Sequence, residues 1–285
     1  MNFYELEQKI NSYEKNYNIK IIGKTILGRN IYAVEKIINE KFSTAIFVAG
    51  IHAREYISTD LLCKFLDDGL FDNITDFNIS FILMANPDGV QLCYDGLDSV
   101  GDSKFRQDLF IANNRNNNFS LWKSNARGVD LNNNFDANFG YHINSMMPSS
   151  QGFCGDYVES ENETRAIVDY TLSKNVFFTI SYHSKGEEIY YNFFQDKKRL
   201  KRDSFIAQKF AASTGYLIKN VENVSSGGYK DWCVQKLKIP ALTIEIGGDD
   251  LKHPIKNEFL STIYENHKKV AFDTIFAYNI FNKFK

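Results

Sequence analysis

The chain has 285 residues, of which 44% are hydrophobic and 24% charged, the composition of an ordinary folded globule. Its 33 lysines and arginines stand against 35 aspartates and glutamates, so no basic excess is available to bind nucleic-acid phosphates or an anionic membrane. The chain has no run of roughly 20 apolar residues, no apolar segment of a secretory signal near its start and no C-x-x-C pair among its four cysteines. These features lead us to expect a soluble cytoplasmic protein with free, mostly buried thiols.

Tyr4 to Tyr17 reads as a first helix, followed by short strands at Ile19–Ile22 and Ile31–Val34 around Gly28-Arg29. The β-branched and apolar run Ala45–Ala49 predicts a strand. Ile57, Leu61, Leu62, Phe65 and Leu66 then fall at helical spacing, with Ser58 or Thr59 as candidate N-cap. Ile79–Ala85 is a nearly continuous apolar strand stopped by the turn signal Asn86-Pro87-Asp88-Gly89.

Asn113–Asn118 reads as a surface loop, and Ser160-x-x-Glu163 before Ile167, Val168 and Leu172 as a capping box opening a helix. Phe177–Tyr182 and Ala241–Ile246 are further strands, Lys197–Lys201 coats a solvated helix, and a long helix from Asn257 to Ile280 closes the chain. Strands alternating with helices predict an α/β fold, a three-layer α/β/α arrangement around a mixed, mostly parallel twisted sheet of about eight strands. Candidate ligands come from both halves of the chain, so we expect one domain over residues 1–285.

His52-x-x-Glu55, His183 and Glu245 each fall within, at or just past the end of one of these apolar strands. Ligands of open α/β sheets collect beyond the carboxyl ends of the strands. Catalytic zinc takes three protein ligands, from imidazole nitrogen and carboxylate oxygen, and keeps one position open. Two histidines and a glutamate meet that count, and Glu245 is then a candidate general base. By residue type alone, a lone H-x-x-E is equally compatible with a surface pair.

Gly50-Ile-His-Ala-Arg-Glu55, Asn86-Pro-Asp-Gly89, Gly128-Val-Asp-Leu-Asn132, His183-Ser184, Ser226-Gly-Gly-Tyr-Lys-Asp-Trp232 and Thr243-Ile-Glu-Ile-Gly247 follow one another along the chain. In this order they resemble the zinc carboxypeptidase family, over about residues 18 to 250. The stretches Trp122-Lys-x-Asn-x-Arg-Gly-Val-Asp-Leu-Asn132 and Gly228-Tyr-Lys-Asp-Trp232 look most like bacterial γ-D-glutamyl-diamino-acid peptidases. The resemblance implies one zinc ion per chain held by His52, Glu55 and His183, Glu245 as general base and proton shuttle, and Arg127 as the cation for the oxyanion. It also implies that Arg54 and Asn132 contact substrate, against structural alternatives of a salt bridge and a turn residue.

Three departures from the family pattern bear on the substrate. Asn133 stands where an arginine usually clamps a terminal carboxylate. Asn223 stands where a mobile tyrosine is expected, leaving Tyr229 as a substitute contact or a packing residue. Lys230 occupies the base of the pocket for the residue after the cut bond, where a cation favours an anionic side chain unless it points to solvent. The leading expectation is a peptidase for the γ-D-glutamyl–meso-diaminopimelate amide of anionic muropeptide fragments. The alternatives are a carboxypeptidase for acidic C-terminal residues and a zinc-bound member without turnover.

Overall fold

The strand run at residues 44–48 alternates strictly between two cores. Ala45 and Phe47 lie in one apolar cluster and Ile46 and Val48 in another, all fully buried, as expected of a strand covered on both faces. The computed structural model describes residues 1–141, 144–219 and 226–284. Its strands are β1 (Asn18–Lys24), β2 (Asn30–Lys36), β3 (Thr44–Val48), β4 (Asn78–Ile82), β5 (Val176–His183), β6 (Glu188–Tyr190), β7 (Leu217–Lys219) and β8 (Ala241–Glu245).

They form one eight-stranded sheet in the order β1-β2-β4-β3-β5-β8-β6-β7. The pairs β3–β4, β3–β5, β5–β8 and β6–β7 are parallel, and β1–β2, β2–β4 and β6–β8 antiparallel, so the sheet is mixed and mostly parallel, as expected. Helices cover both faces. On the Phe47 face lie α1 (Phe3–Tyr13), α2 (Ile57–Asp67), α6 (Lys197–Thr214), α8 (Leu260–His267) and α9 (Val270–Lys283). On the Val48 face lie α5 (Asn162–Leu172) and α7 (Tyr229–Trp232). A third, smaller cluster around Trp122 and Phe119 packs α3 (Pro87–Asp95) and α4 (Ser103–Ala112) beside the sheet. Among the described residues, no helix is long and apolar enough to cross a membrane.

Several local expectations are corrected. Ser58 and Thr59 lie inside α2 and do not cap it: the Ser58 hydroxyl donates to the Glu55 carbonyl at 2.7 Å, and that of Thr59 to the Leu83 carbonyl at 2.7 Å. Asn-Pro-Asp-Gly opens a helix instead of a simple turn. Asn86 caps α3 by accepting from the Gly89 amide, and Pro87 sits in the first turn, where its missing N–H costs nothing. Ser160 does not box α5, because its hydroxyl is turned to the Glu161 carboxylate. The expected C-terminal helix is split at Lys268–Lys269 into α8 and α9, and the three-residue strands β6 and β7 were not anticipated.

Candidate metal centre

Three adjacent parallel strands end at the same edge of the sheet, and each delivers part of one constellation. His183 is the last residue of β5 and Glu245 the last of β8, and the two are paired in register. β3 runs into Gly50, whose φ of +64° and close approach to Met84 and Thr59 suit a residue without Cβ. The chain then bends through His52 and a single 3₁₀ turn, Ala53–Glu55, before α2 begins. The Ser58 hydroxyl accepts from the Gly50 amide at 3.1 Å, fastening this bend to the helix that follows it.

The result is a buried cluster in which ligand atoms of His52, Glu55 and His183 all lie within 4.8 Å of one another. The two Nδ1 atoms are 3.0 Å apart, and they approach the Glu55 carboxylate at 2.9 and 3.0 Å. The Ser184 amide donates to Glu55 Oε2 at 3.2 Å. Imidazole nitrogens facing each other across a carboxylate fit a shared cation, and this donor set is that of a catalytic zinc site.

The surroundings fit as well. His52 Nε2 lies 3.2 Å from the Asp130 carboxylate, the outer partner that fixes the tautomer and orientation of a metal-binding imidazole. Asp130 in turn pairs with the Lys123 ammonium at 3.2 Å and accepts from the Gly152 amide at 3.1 Å. Although burial opposes ionisation, Lys123 and His52 hold the Asp130 carboxyl well below its usual range. Burial likewise opposes the Lys123 charge, but Asp130 and Glu55 outweigh it and keep the ammonium protonated. The Glu245 carboxyl is pushed up, first by burial and then by Glu55. On its other side Glu245 is paired in register with Glu188 of β6, which forms a 2.9 Å ion pair with Lys219.

Lys123 was not singled out from the sequence. Its backbone touches the ligand turn directly, the carbonyl accepting from the Ala53 amide at 3.0 Å. The signal was present in Trp122-Lys-x-Asn-x-Arg, but Arg127 was chosen as the cation. Arg127 instead pairs with Asp156 at 3.4 Å and lies 3.8 Å from Glu161, its side chain 42% exposed.

The other expected substrate contacts divide. Arg54 lies within the ligand turn, its Nη1 donating to the Leu121 carbonyl at 3.1 Å and to Gln151 at 3.4 Å, with no carboxylate within 4.0 Å among the described residues. Asn132 accepts from the Tyr229 amide at 3.2 Å. Gly227 packs so tightly on this turn that a Cβ would lie 2.4 Å from the Asn133 carbonyl oxygen. The Tyr229 side chain is a correction: it is fully buried, packed on Phe135 and Trp232, with its hydroxyl 3.1 Å from that of Thr171. Lys230 does not point to solvent. It is buried against the Phe193 ring, donates to the Asn192 carbonyl at 2.9 Å and is ion-paired with Asp231, so its charge is balanced inside the protein. Asn223 lies outside the described residues.

The family model for zinc carboxypeptidases matches residues 4–269. Among characterised relatives, γ-D-glutamyl-L-diamino acid endopeptidase 1 of Lysinibacillus sphaericus is 30% identical over 261 residues, covering 86% of this chain and 63% of that protein. The chain thus spans less than two thirds of that relative's length. Bovine thrombin-activatable fibrinolysis inhibitor, solved in complex with tick carboxypeptidase inhibitor, superposes with a TM-score of 0.78 at 19% identity, covering 99% of this chain and 98% of that one. Murein-tripeptide amidase MpaA from Escherichia coli O157 gives a TM-score of 0.58 at 19% identity, covering 90% and 91%. Both structural likenesses are of fold.

Proposed function

Because the chain belongs to the zinc carboxypeptidase family, we propose that it is a zinc metallopeptidase that hydrolyses the γ-D-glutamyl–meso-diaminopimelate amide of muropeptide fragments. The observation that carries the reading is the buried convergence of His52, Glu55 and His183 beside Glu245. These three residues would hold one zinc ion, which when bound supplies Lewis-acid polarisation and acidifies water.

The remaining chemistry belongs to side chains of this chain. Glu245 takes a proton on its carboxylate from the attacking water and returns it to the leaving amine. Lys123, protonated and held by Asp130, stabilises the negative charge that develops on the carbonyl oxygen. Asp130 also orients the His52 ring. Arg54, lacking a carboxylate partner among the described residues, is placed to meet an anionic group of the substrate, and Asn132 lines the neighbouring turn.

Chemistry and kinship support this substrate. The curated relative named above is an endopeptidase for γ-D-glutamyl-diamino-acid bonds. A γ-glutamyl acyl group carries a free α-carboxylate close to the cut bond, which matches the unpaired Arg54 guanidinium. Lys230 spoke equally for this substrate and for a carboxypeptidase acting on acidic C-terminal residues, and the Lys230–Asp231 pair weakens that support for both.

The test is mass-spectrometric cleavage of L-Ala-γ-D-Glu-meso-diaminopimelate by zinc-loaded protein, beside a peptide ending in Glu and a Glu245→Gln control. Release of diaminopimelate from the first alone is expected. Release of Glu from the second alone would sink the muropeptide assignment.

A further inference from the structure

We propose that Glu161 and Glu163, acting through the Asn125 amide, are positioning residues that hold the Lys123 ammonium beside the ligand cluster. The inference rests on the role given to Lys123 above. A lysine reaches its target on a flexible four-carbon stem, so the place from which the stem starts decides where the charge can go. That place is set by the loop 122–130, and Asn125 is its hub.

Every polar atom of the Asn125 side chain is engaged. Its Oδ1 accepts from the Arg127 amide at 2.9 Å and the Val129 amide at 3.1 Å, folding the loop back on itself. Its Nδ2 donates to Glu161 at 2.8 Å and to Glu163 at 3.2 Å, anchoring the loop to the start of α5. The Asn125 carbonyl accepts from the Trp122 indole at 3.1 Å, which locks the residue just before Lys123. One residue thus ties both flanks of Lys123, through its backbone carbonyl and its side-chain amide, to two carboxyl groups, each only 1% exposed.

The charges around those carboxyls are unbalanced. Asp88 of α3 is also buried there and is paired with Arg29 at 2.8 Å, while among the described residues the cation within 4.0 Å of Glu161 is Arg127 at 3.8 Å, and the Ser160 hydroxyl donates to Glu161 at 2.7 Å. Among the described residues, no lysine or arginine lies within 4.0 Å of Glu163, and its Oε1 has no hydrogen-bond partner. Burial and then Asp88 push the Glu163 carboxyl up to about 8. Glu163 therefore keeps its proton at neutral pH and accepts from Asn125 as a neutral group. Ionisation above that pH puts a further buried negative charge against Asp88 and Glu161, and this repulsion, only partly offset by the Asn125 hydrogen bond, strains the loop at its anchor.

The experiment is a mutant cycle on the zinc-loaded protein with L-Ala-γ-D-Glu-meso-diaminopimelate, supported by hydrogen exchange. Asn125→Ala should lower kcat roughly tenfold to a hundredfold with KM and bound zinc nearly unchanged. Lys123→Ala should cost at least as much, and the double variant should be no worse than Lys123→Ala alone. Multiplying losses would overturn the positioning role while leaving that of Lys123 intact. An undiminished kcat in Lys123→Ala would overturn the Lys123 reading itself.

Glu163→Gln keeps the shape and removes the titration, so it remains informative if Asn125→Ala does not fold. It should retain near-normal kcat at pH 7 and hold its activity above pH ~8, where the parent protein declines. At pH ~9 its Arg127 and Val129 amides should exchange more slowly than in the parent protein, a readout independent of turnover. Identical alkaline limbs and identical exchange in the two proteins would overturn the proposal.

Discussion

His183 and Glu245 are paired in register at the ends of adjacent parallel strands, so the sheet itself sets the spacing between a candidate metal ligand and the candidate base. Neither residue depends on a loop for its position. Errors of an ångström at such a site cost large factors in rate, and strand ends are the least deformable places on which to build one.

Glu245→Gln tests that division of labour. The amide keeps the shape but cannot accept and return a proton. We expect kcat to fall roughly 10²- to 10⁴-fold, with bound zinc, measured by elemental analysis of dialysed protein, unchanged. Loss of metal in this variant would mean that Glu245 belongs to the ligand set.

Lys123 and Arg127 make opposite predictions. Removing a preorganised donor to a developing oxyanion typically costs about 3–4 kcal/mol, or 10²–10³ in kcat, and Lys123→Ala is expected in that range. Arg127→Ala, which loses partly exposed contacts to Asp156 and Glu161, should change kcat by less than about tenfold. Steady-state kinetics of the two variants side by side decides between them.

The Lys230–Asp231 pair is 4% and 1% exposed. Breaking such a pair from one side takes its lysine from a buried carboxylate, at a cost of about 3–5 kcal/mol. Lys230→Met should therefore lower the urea midpoint sharply. The ratio of kcat/KM between anionic and amidated substrates should move little at a temperature where the variant is folded. A collapse of that ratio with stability intact would restore Lys230 as a specificity residue.

His267 sets an acid limit on stability. It is fully buried between the Tyr182 and Tyr216 rings, with Nδ1 2.8 Å from the Ile263 carbonyl oxygen. Burial lowers its pKa to about 4. An unfolded chain takes up this proton near pH 6.5, whereas the folded one resists until about pH 4. The contribution is thus fully present above pH ~6.5 and is lost as pH falls to ~4, on the order of 3 kcal/mol. Urea midpoints of parent and His267→Gln proteins, compared at intervals across that window, should converge as the pH drops. Parallel curves would refute the assignment.

What could be read from the sequence follows the physics of each element. β3, β5 and β8 are continuous apolar runs, and the residues at or just beyond their ends stand out as polar interruptions, so the convergence of His52, Glu55, His183 and Glu245 was legible. The choice between Lys123 and Arg127 was not. Spacing does not reveal that Asn125 folds the loop back on itself, and only that fold decides which cation faces the cluster. Tyr229 and Lys230 sit on the four-residue α7, too short for periodicity to show which side is buried. The strands β6 and β7 are three residues each, below the length at which alternation carries information, and β7 is exposed throughout.

The ligands also come from distant parts of the chain, with His52 and His183 131 positions apart and brought together by the pairing of β3 with β5. Closing so long a loop is entropically costly until the sheet has formed around it. A half-made chain therefore offers a two-ligand fragment at best, and tight metal capture reports that the central strands have assembled. On the proposed activity, hydrolytic competence is gated by folding itself: a nascent or damaged copy, lacking its third ligand, would stay inert toward neighbouring peptides.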